Sequence, residues 1–291
     1  MKSTGSPAPL IMPSPAPILA APPRWNTSNL GWRLGTDFVS AACAGVLVAP
    51  VISIIDRSIM ENASGRDTFS NSIRSSLRNL FLRPQSLLLS RPFGLILLVY
   101  GGTYLTANTF DTATSTLRNR PAHTVTSGTG KFAASSAANI FLGIYKDKVF
   151  VRIFGPPGVV PRPVPLASYA LFALRDCLTI FASFNVPPLL APYINSRISE
   201  DFKRRVSGLT MAQFAAPAAV QLLSTPVHLL GLDLYNRPGT SQQVPWANRW
   251  ALVGKNWLVS TTARICRIVP GFGVGAVVNR KVRNSLMEKV A

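Results

Sequence analysis

The sequence predicts an all-α membrane protein with six transmembrane helices in three tandem two-helix repeats. Three observations lead to this prediction: six long apolar stretches, few charged residues, and charged clusters that recur with a period of about 90 residues. Hydrophobic residues make up 47% of the chain and charged residues 14%, whereas a soluble domain carries about 25% charged residues. The mean hydropathy is positive, at +0.26. This composition is typical of a protein that lies largely in lipid.

The apolar stretches are long enough to cross a bilayer as helices. The first, Phe38–Ile55, contains eighteen residues without a charge, and about 20 apolar helical residues span the hydrocarbon core. Backbone polar groups must be satisfied internally there, and the chain lacks the period-two alternation of barrel strands. A large soluble helical protein is the alternative, because two of the stretches are short or interrupted by charges. The other stretches are Phe93–Phe110, Phe132–Tyr145, Ala167–Leu190, Leu209–Leu232 and Trp257–Val278.

The chain is strongly basic, with 30 Lys and Arg residues against 11 Asp and Glu residues and a net charge of +19. Basic loops favour anionic lipid headgroups, since each basic residue near a membrane surface contributes about 1 kcal/mol. Nucleic acid is not expected as a partner, because no zinc-finger spacing, RNA-binding sheet motif or dense basic run is present. The predicted partners are therefore anionic membrane lipid and a small anionic metabolite, while protein partners stay open.

Two parts of the chain differ in composition. Residues 1–33 are rich in Pro and Ala, and they predict a disordered tail because proline removes an amide donor and clashes with the preceding turn. Residues 34–291 hold all six apolar stretches and form the predicted membrane domain. Within it, the predicted repeats span about residues 34–115, 130–195 and 205–287.

Charged residues mark equivalent positions in the three repeats. Each odd-numbered stretch ends in a charged cluster, and the acids of these clusters are separated by 91 and 86 residues: Asp56, Asp147 and Asp233. Each even-numbered stretch contains or begins with an arginine, and these arginines are separated by 84 and 89 residues: Arg91, Arg175 and Arg264. A period of about 90 residues with two helices in each unit indicates a tandem repeat.

Charges within the apolar stretches are the main functional candidates, because a charge at mid-bilayer costs about 2.5–3.5 kcal/mol on insertion scales. Four arginines are candidates to line a basic cavity for a phosphate or carboxylate, which a guanidinium binds bidentately: Arg91, Arg175, Arg264 and Arg267. The alternatives are a tie between helices for Arg175 and headgroup contacts for Arg91 and Arg267. Adjacent helix positions diverge by about 100°, so Arg175 and Asp176 are expected to face different neighbours.

Prolines inside membrane helices kink the helix axis, and two of them occupy like positions in the first and third repeats. Charged or polar residues follow each of these prolines within seven positions, and an aromatic-acid pair closes the second stretch. The marked residues are Pro50, Asp56, Arg57, Asp111, Asp147, Pro226, His228 and Asp233.

This arrangement resembles the mitochondrial carrier family, whose odd-numbered helices end in Pro-x-Asp/Glu-x-x-Lys/Arg, and the resemblance covers about residues 33–286. It implies six helices around a pseudo-threefold axis, with the marked residues as gates or helix kinks. It further implies alternating access of a small anionic metabolite to a central basic cavity. The implied location is a mitochondrial membrane, the inner rather than the outer.

The carrier motifs are incomplete in this chain, and two alternatives follow. In the first repeat, Ile52 stands at the acidic position of the motif. In the third repeat, Gly231 stands at the basic position. A non-transporting protein of the same fold, acting as a membrane interaction or morphology factor, is therefore the second hypothesis. An unrelated multi-pass protein of the endoplasmic reticulum is the third.

No catalytic, metal or cofactor site is predicted, and an enzyme is not expected. Only two histidines are present, and His228 and Asp233 are five positions apart, which places them on different helix faces. No serine elbow or glycine-rich phosphate loop occurs. The three cysteines, Cys43, Cys177 and Cys266, lie in separate apolar stretches and are predicted to be small buried residues.

Overall fold

The computed structural model describes residues 25–126, 128–206, 208–237 and 244–290, and their regular elements are all helical. The all-α prediction is confirmed for this part of the chain. Residues 1–24 of the predicted tail lie outside the described residues, whereas residues 30–33 belong to the first helix. The elements are α1 (Leu30–Ser64), α2 (Phe69–Leu82), α3 (Pro84–Leu88), α4 (Arg91–Leu117), α5 (Thr129–Ile153), α6 (Leu166–Phe184), α7 (Val186–Arg197), α8 (Glu200–Arg205), α9 (Gly208–Asn236), α10 (Trp246–Ile268), a π-helical segment (Val269–Val274) and α11 (Gly275–Val290).

The long helices form a closed ring in which α1, α4, α5, α6, α9 and α10 each contact the next, and α10 and α11 contact α1. Neighbours run in opposite directions. The first turns of α1 contact the end of α11, where Asn29 Nδ2 donates a hydrogen bond to the Val290 carbonyl. We call this end of the ring the terminal end. The opposite end, where α1 finishes and α4 begins, is called the loop end.

Four helices of the described residues are long and apolar enough to cross a membrane, namely α1, α4, α6 and α9. The prediction of a helical protein that crosses the membrane several times is confirmed at this level. α5 and α10 lie beside them in the ring but carry several charged side chains each. The predicted six spans and the pseudo-threefold axis are not confirmed.

Glycines set the closest approaches in the ring. A Cβ atom at Gly45 of α1 would lie 2.8 Å from Leu97 Cδ1 and 3.3 Å from the backbone of Gly101, both in α4. A Cβ atom at Gly231 of α9 would lie 2.8 Å from the ring of Phe172 in α6. Small residues at such crossings let two helix backbones approach closely, which maximises van der Waals contact in a membrane. The spacing of the ring therefore depends on these glycines.

Replacing Gly45 with leucine is expected to lower the thermal unfolding midpoint of the protein in detergent. The added side chain must push α4 away, and overpacking of this kind costs about 1–3 kcal/mol. Gly35 is the matched control, because it lies on the same helix with no atom within 4 Å of a Cβ placed there. Gly35→Leu should leave the midpoint close to that of the wild type. Equal midpoints for the two variants would contradict the close contact between α1 and α4.

The largest apolar core lies towards the loop end of the ring. Most of its members come from the second half of α1, the ends of α5 and α9 and the first halves of α4, α6 and α10, and they include Ile52, Ile96, Phe150, Phe172 and Leu232. Each of these five side chains is buried. The loop end is therefore closed by packed side chains.

The outer surface of the ring is apolar, and exposed side chains include Leu47, Leu98, Phe141, Phe181 and Leu223. Lipid tails are as apolar as leucine, so such a surface is stable in a bilayer. The three cysteines lie on exposed positions of this kind, and the prediction that they are buried is wrong. An apolar sequence stretch does not distinguish a side chain that faces lipid from one that faces the protein interior.

Candidate functional site

A cluster of ion pairs crosses the inside of the ring in the half nearer the loop end. Lys146 Nζ lies 2.7 Å from Asp56 Oδ2 and 2.9 Å from Asp147 Oδ1. Arg175 Nη1 lies 2.7 Å from Asp147 Oδ2, and Arg267 Nη1 lies 2.6 Å from Asp56 Oδ1. We call this cluster the buried ion network; its members are Asp56 of α1, Lys146 and Asp147 of α5, Arg175 and Asp176 of α6, and Arg267 of α10.

The network is largely removed from solvent, since the side chain of Asp147 is fully buried and that of Asp56 is 5% exposed. Transfer of an ion out of water costs several kcal/mol, and only close pairing of opposite charges offsets that cost. Charged residues inside membrane spans mark functional sites by default. Four helices of the ring are thus joined by buried charges, and each of these charges is compensated by a close opposite charge.

Arg175 and Asp176 pair with each other, contrary to the expectation that they face different neighbours. Arg175 donates hydrogen bonds through Nε and Nη2 to the two carboxylate oxygens of Asp176, at 2.9 and 2.8 Å. The long arginine side chain folds back along its own helix, so the angle between adjacent positions does not keep the two groups apart. The guanidinium thereby bridges Asp176 to Asp147 of the neighbouring helix.

His228 of α9 completes the arrangement on the far side of Arg175. Its Nδ1 lies 2.9 Å from Arg175 Nη1, and the imidazole is buried against the ring of Phe172 with centroids 5.4 Å apart. Because a guanidinium can only donate hydrogen bonds, Nδ1 must act as the acceptor, which leaves the proton of the neutral imidazole on Nε2. His228 is therefore neutral and accepts a hydrogen bond from a buried cation, and within the described part of the chain it has no carboxylate contact of its own.

Arg264 of α10 lies beside the network but is held differently. Its Nε donates a 2.9 Å hydrogen bond to Gln221 Oε1 of α9, and the residue is 3% exposed. Gln221 is fixed in turn, since its Nε2 donates to the Pro217 carbonyl at 3.0 Å and its Oε1 also accepts from Ser224. The partner of this buried arginine is thus a neutral amide.

A second polar cluster lies near the terminal end. Asp37 of α1 is fully buried and accepts hydrogen bonds from Arg283 Nε at 2.7 Å and from Thr112 Oγ1 at 2.6 Å. Asn108 of α4 and Asn279 of α11 exchange two amide hydrogen bonds of 2.9 Å each. These contacts tie α1, α4 and α11 together.

A cavity of about 590 Å³ opens next to this second cluster, between α4, α5, α9 and α11. Asp111 and Lys131 form an ion pair of 2.6 Å in its wall. The other polar lining side chains include Asn108, Gln213, Asn279, Arg280 and Arg283. The cavity therefore offers both signs of charge together with side-chain amides. We call it the terminal cavity.

The π-helical segment joins α10 to α11 and contacts the wall of the terminal cavity through Tyr104. Tyr104, which lines the cavity, donates a hydrogen bond of 2.5 Å to the Gly271 carbonyl. A Cβ atom at Gly271 would lie 3.0 Å from the ring of Tyr100, so both tyrosines pack directly against this segment. π-helical turns occur frequently at functional sites, because their wider turn leaves carbonyls for other donors.

A family model described as a probable citrulline exporter matches residues 40–287. The chain belongs to this family. The matched range covers most of α1 and nearly all of α11, so it contains the buried ion network and the whole lining of the terminal cavity. The activity in the family description is transport rather than catalysis. Comparison with curated proteins gives no match.

Membership of the probable citrulline exporter family corrects the resemblance to the mitochondrial carrier family, which was wrong. The resemblance rested on helix number, repeat spacing and partial motifs, all of which describe general features of multi-pass proteins with paired helices. The family description names an amino acid without net charge, so the expectation of an anionic metabolite is not supported either. The predictions of a small metabolite as substrate and of a multi-pass membrane protein agree with the family description.

The structure places the marked residues of the sequence in three different settings. Asp56, Asp147, Arg175, Arg267 and His228 come together in or against the buried ion network, and Arg264 lies beside it. Asp111 lines the terminal cavity. The other marked residues lie apart from both sites. Arg57 pairs with Glu61, and Asp233 pairs with Arg249 and Arg237. Arg91 is exposed at the start of α4, and Pro50 and Pro226 are half-buried within α1 and α9.

Several residues of the site were not predicted from the sequence. Arg33 and Asp37 are both buried, although Arg33 was assigned to the tail. The sequence did contain one indication of their burial, namely two charged residues four positions apart just before the first apolar stretch. Lys131, Arg280 and Arg283 lie at or beyond the ends of apolar stretches, where basic residues usually contact headgroups. Nothing in the local sequence distinguishes them from ordinary loop cations.

Proposed function

We propose that the protein exports citrulline across a membrane by alternating access, with the terminal cavity as the binding site and the buried ion network as the barrier towards the loop end. The observation that carries this proposal is the composition of the cavity wall. Citrulline has an ammonium group, a carboxylate and a neutral ureido group. The wall offers a carboxylate at Asp111, a cation at Arg280 and amides such as Gln213.

The dimensions of the terminal cavity support the same proposal. Its volume of about 590 Å³ lies within the range of about 300–1,000 Å³ typical of small-molecule sites. The ureido group both donates and accepts hydrogen bonds, which matches the amide side chains of the wall. The family match and this polar cavity favour transport over the non-transporting alternative, for which a filled interior would be expected.

The transport cycle requires the barrier to move from one end of the ring to the other. In the state described here, the apolar core and the buried ion network close the loop end. Opening that end separates pairs such as Asp56 with Lys146, and the polar cluster around Asp37 then tightens around the emptied cavity. In this proposal all six long helices cross the membrane, with the charged sides of α5 and α10 facing the interior. The mitochondrial location stays a prediction.

The purified protein should be reconstituted in liposomes to test this function. We expect saturable uptake of labelled citrulline that is faster when the vesicles contain citrulline, because internal citrulline helps to return the binding site to the outside in an alternating-access cycle. Protein-free liposomes give the background, and ornithine, arginine and glutamine define selectivity. Uptake of citrulline no faster than in protein-free liposomes, by protein shown to be folded in detergent, would overturn the proposal.

Arg280→Gln is expected to raise the KM for citrulline about fivefold while leaving the maximal rate nearly unchanged, since an exposed cation at the cavity wall contributes about 1 kcal/mol to carboxylate attraction. Lys281→Gln is the matched control, because Lys281 is an exposed neighbour on α11 that is not among the residues lining the cavity. Concentration-dependent uptake in liposomes measures both constants. An equal change in KM for both variants would indicate a general surface-charge effect instead.

A further inference from the structure

We propose that Arg264 binds the carboxylate of the transported amino acid at a second position, deeper in the ring than the terminal cavity. This inference rests on the proposed function and adds a substrate requirement to it. Arg264 would accept only a molecule with a free carboxylate, so amino acids would pass while the corresponding amines would not.

The pairing of the neighbouring cations singles out Arg264. Lys146 contacts two carboxylates, those of Asp56 and Asp147. Arg175 also contacts two carboxylates, and Arg267 contacts one. Among the described residues, Arg264 has a hydrogen bond to Gln221 but no carboxylate within ion-pair distance. It is therefore a buried cation without a protein anion.

Such an arrangement is unfavourable without a ligand. Buried charges in proteins are paired or coordinated, because the solvation lost on burial is otherwise not replaced. In the middle of a membrane protein an unpaired arginine marks a functional site by default. A carboxylate supplied by the substrate would provide the missing charge.

The geometry of the guanidinium fits this ligand class. Arg264 uses Nε for its bond to Gln221, which leaves the two terminal nitrogens as a parallel pair of donors. A carboxylate can accept from both at once, in the bidentate arrangement that is characteristic of arginine. Gln221 is a positioning residue here: Ser224 and the Pro217 carbonyl fix its amide, and the amide orients the arginine without neutralising it.

Arg264 lies deeper in the ring than the terminal cavity, on the side of the loop end. Gln213 lines the cavity on α9, and Gln221 follows it about two helical turns, roughly 12 Å, nearer the loop end. Arg267 lies one turn from Arg264 on α10 and pairs with Asp56 in the buried ion network. A substrate carboxylate at Arg264 therefore arrives beside Arg267 and competes with Asp56 for it. Binding at this position weakens the barrier that must open for release.

Arg264→Gln is the main test, assayed in liposomes with labelled citrulline and with its decarboxylated analogue, carbamoylputrescine. Wild-type protein should prefer citrulline strongly, whereas the variant should transport citrulline at least about tenfold more slowly and lose most of the preference, as expected for loss of about 1.4 kcal/mol or more. Arg264→Lys should keep part of the preference, because lysine retains the charge but not the fork. An unchanged preference in Arg264→Gln would overturn the inference.

Thermal unfolding in detergent separates a binding role from a structural one. Removal of an unpaired buried cation should leave the unfolding midpoint of Arg264→Gln equal to or above that of the wild type. Arg249→Gln is the control, because Arg249 is a buried arginine of the same helix that pairs with Asp233 at 2.6 Å; it should lower the midpoint but keep the preference for citrulline.

The two proposals fail in different ways. A wild-type protein that takes up no citrulline would overturn the proposed function and the substrate requirement that rests on it, whereas citrulline uptake with an unchanged preference in Arg264→Gln would overturn the carboxylate site alone. A midpoint of Arg264→Gln well below that of the wild type would overturn the carboxylate site whatever the uptake, because it would reveal a structural partner for the arginine.

Discussion

Replacing Asp56 with asparagine is expected to abolish citrulline exchange and to lower the free energy of unfolding by about 3–5 kcal/mol. Among the residues that the structure describes, Asp56 is the carboxylate that joins Lys146 of α5 to Arg267 of α10, through contacts of 2.7 and 2.6 Å. Without it, Arg267 loses its carboxylate partner among the described residues, and Lys146 keeps only Asp147. The state closed at the loop end is then depopulated, so the cycle cannot return to it.

Exchange of labelled citrulline and the unfolding midpoint in detergent measure the two effects of Asp56→Asn. Asp201→Asn is the control, because Asp201 is an exposed acid of α8 with no ion pair among the described residues. Adding Arg267→Gln to Asp56→Asn should recover part of the lost stability, since the stranded cation is removed with its partner. The opposite outcome would be strict additivity, in which Arg267→Gln lowers the free energy of unfolding by the same amount in Asp56→Asn as in the wild type. Additivity would mean that the two residues are not coupled, and it would contradict the role of the network as a barrier.

Replacing Asp37 with asparagine is expected to have an effect of similar size on stability, again about 3–5 kcal/mol, because it leaves Arg283 as an uncompensated buried charge. The expected consequence is separation of α11 from α1, since Asp37 is the acid that binds both Arg283 and Thr112. Hydrogen exchange of the amides of α11 in detergent measures this directly, and exchange should accelerate more in α11 than in α6.

Arg283→Met provides the matched comparison for Asp37→Asn. Combined with Asp37→Leu it replaces a buried ion pair by apolar side chains, and such replacements are often neutral or stabilising. The double variant should therefore be more stable than Asp37→Asn. It should nevertheless transport citrulline poorly, because Arg283 lines the terminal cavity. Normal transport by the double variant would show that this cation takes no part in the cavity.

Residues of the buried ion network could be predicted from the sequence for a simple reason. A charged residue inside an apolar stretch or at its end is conspicuous: Arg175 and Arg267 were marked inside stretches, and Asp56 and Asp147 were marked at the ends of stretches. Their pairing could not be predicted, since the partners lie up to 211 residues apart. Asp233 follows the same spacing as Asp56 and Asp147, yet its partners Arg249 and Arg237 place it in a separate cluster.

The terminal cavity was not predicted, and the reason is its location. Its wall is built by residues near the ends of helices, such as Lys131 and Arg280, where charges are common and uninformative. Only their arrangement around Asp111 gives them a shared function. The family assignment was missed for a related reason: repeated helix pairs and scattered motifs are shared by unrelated membrane proteins, whereas the family match depends on the residue pattern over 40–287.

The amino-acid sequence alone determined that the chain is helical and lies in a membrane, because hydropathy and helix formation are local properties that a stretch of about 20 residues expresses by itself. It also marked the charges that are costly in lipid. Tertiary structure alone decided which of those charges are neutralised and which have no opposite charge nearby among the described residues. Electrostatic pairing depends on distances of a few ångströms between distant parts of the chain, and only the closed ring of helices sets these distances. It leaves Arg264 facing a neutral glutamine while its neighbours face carboxylates.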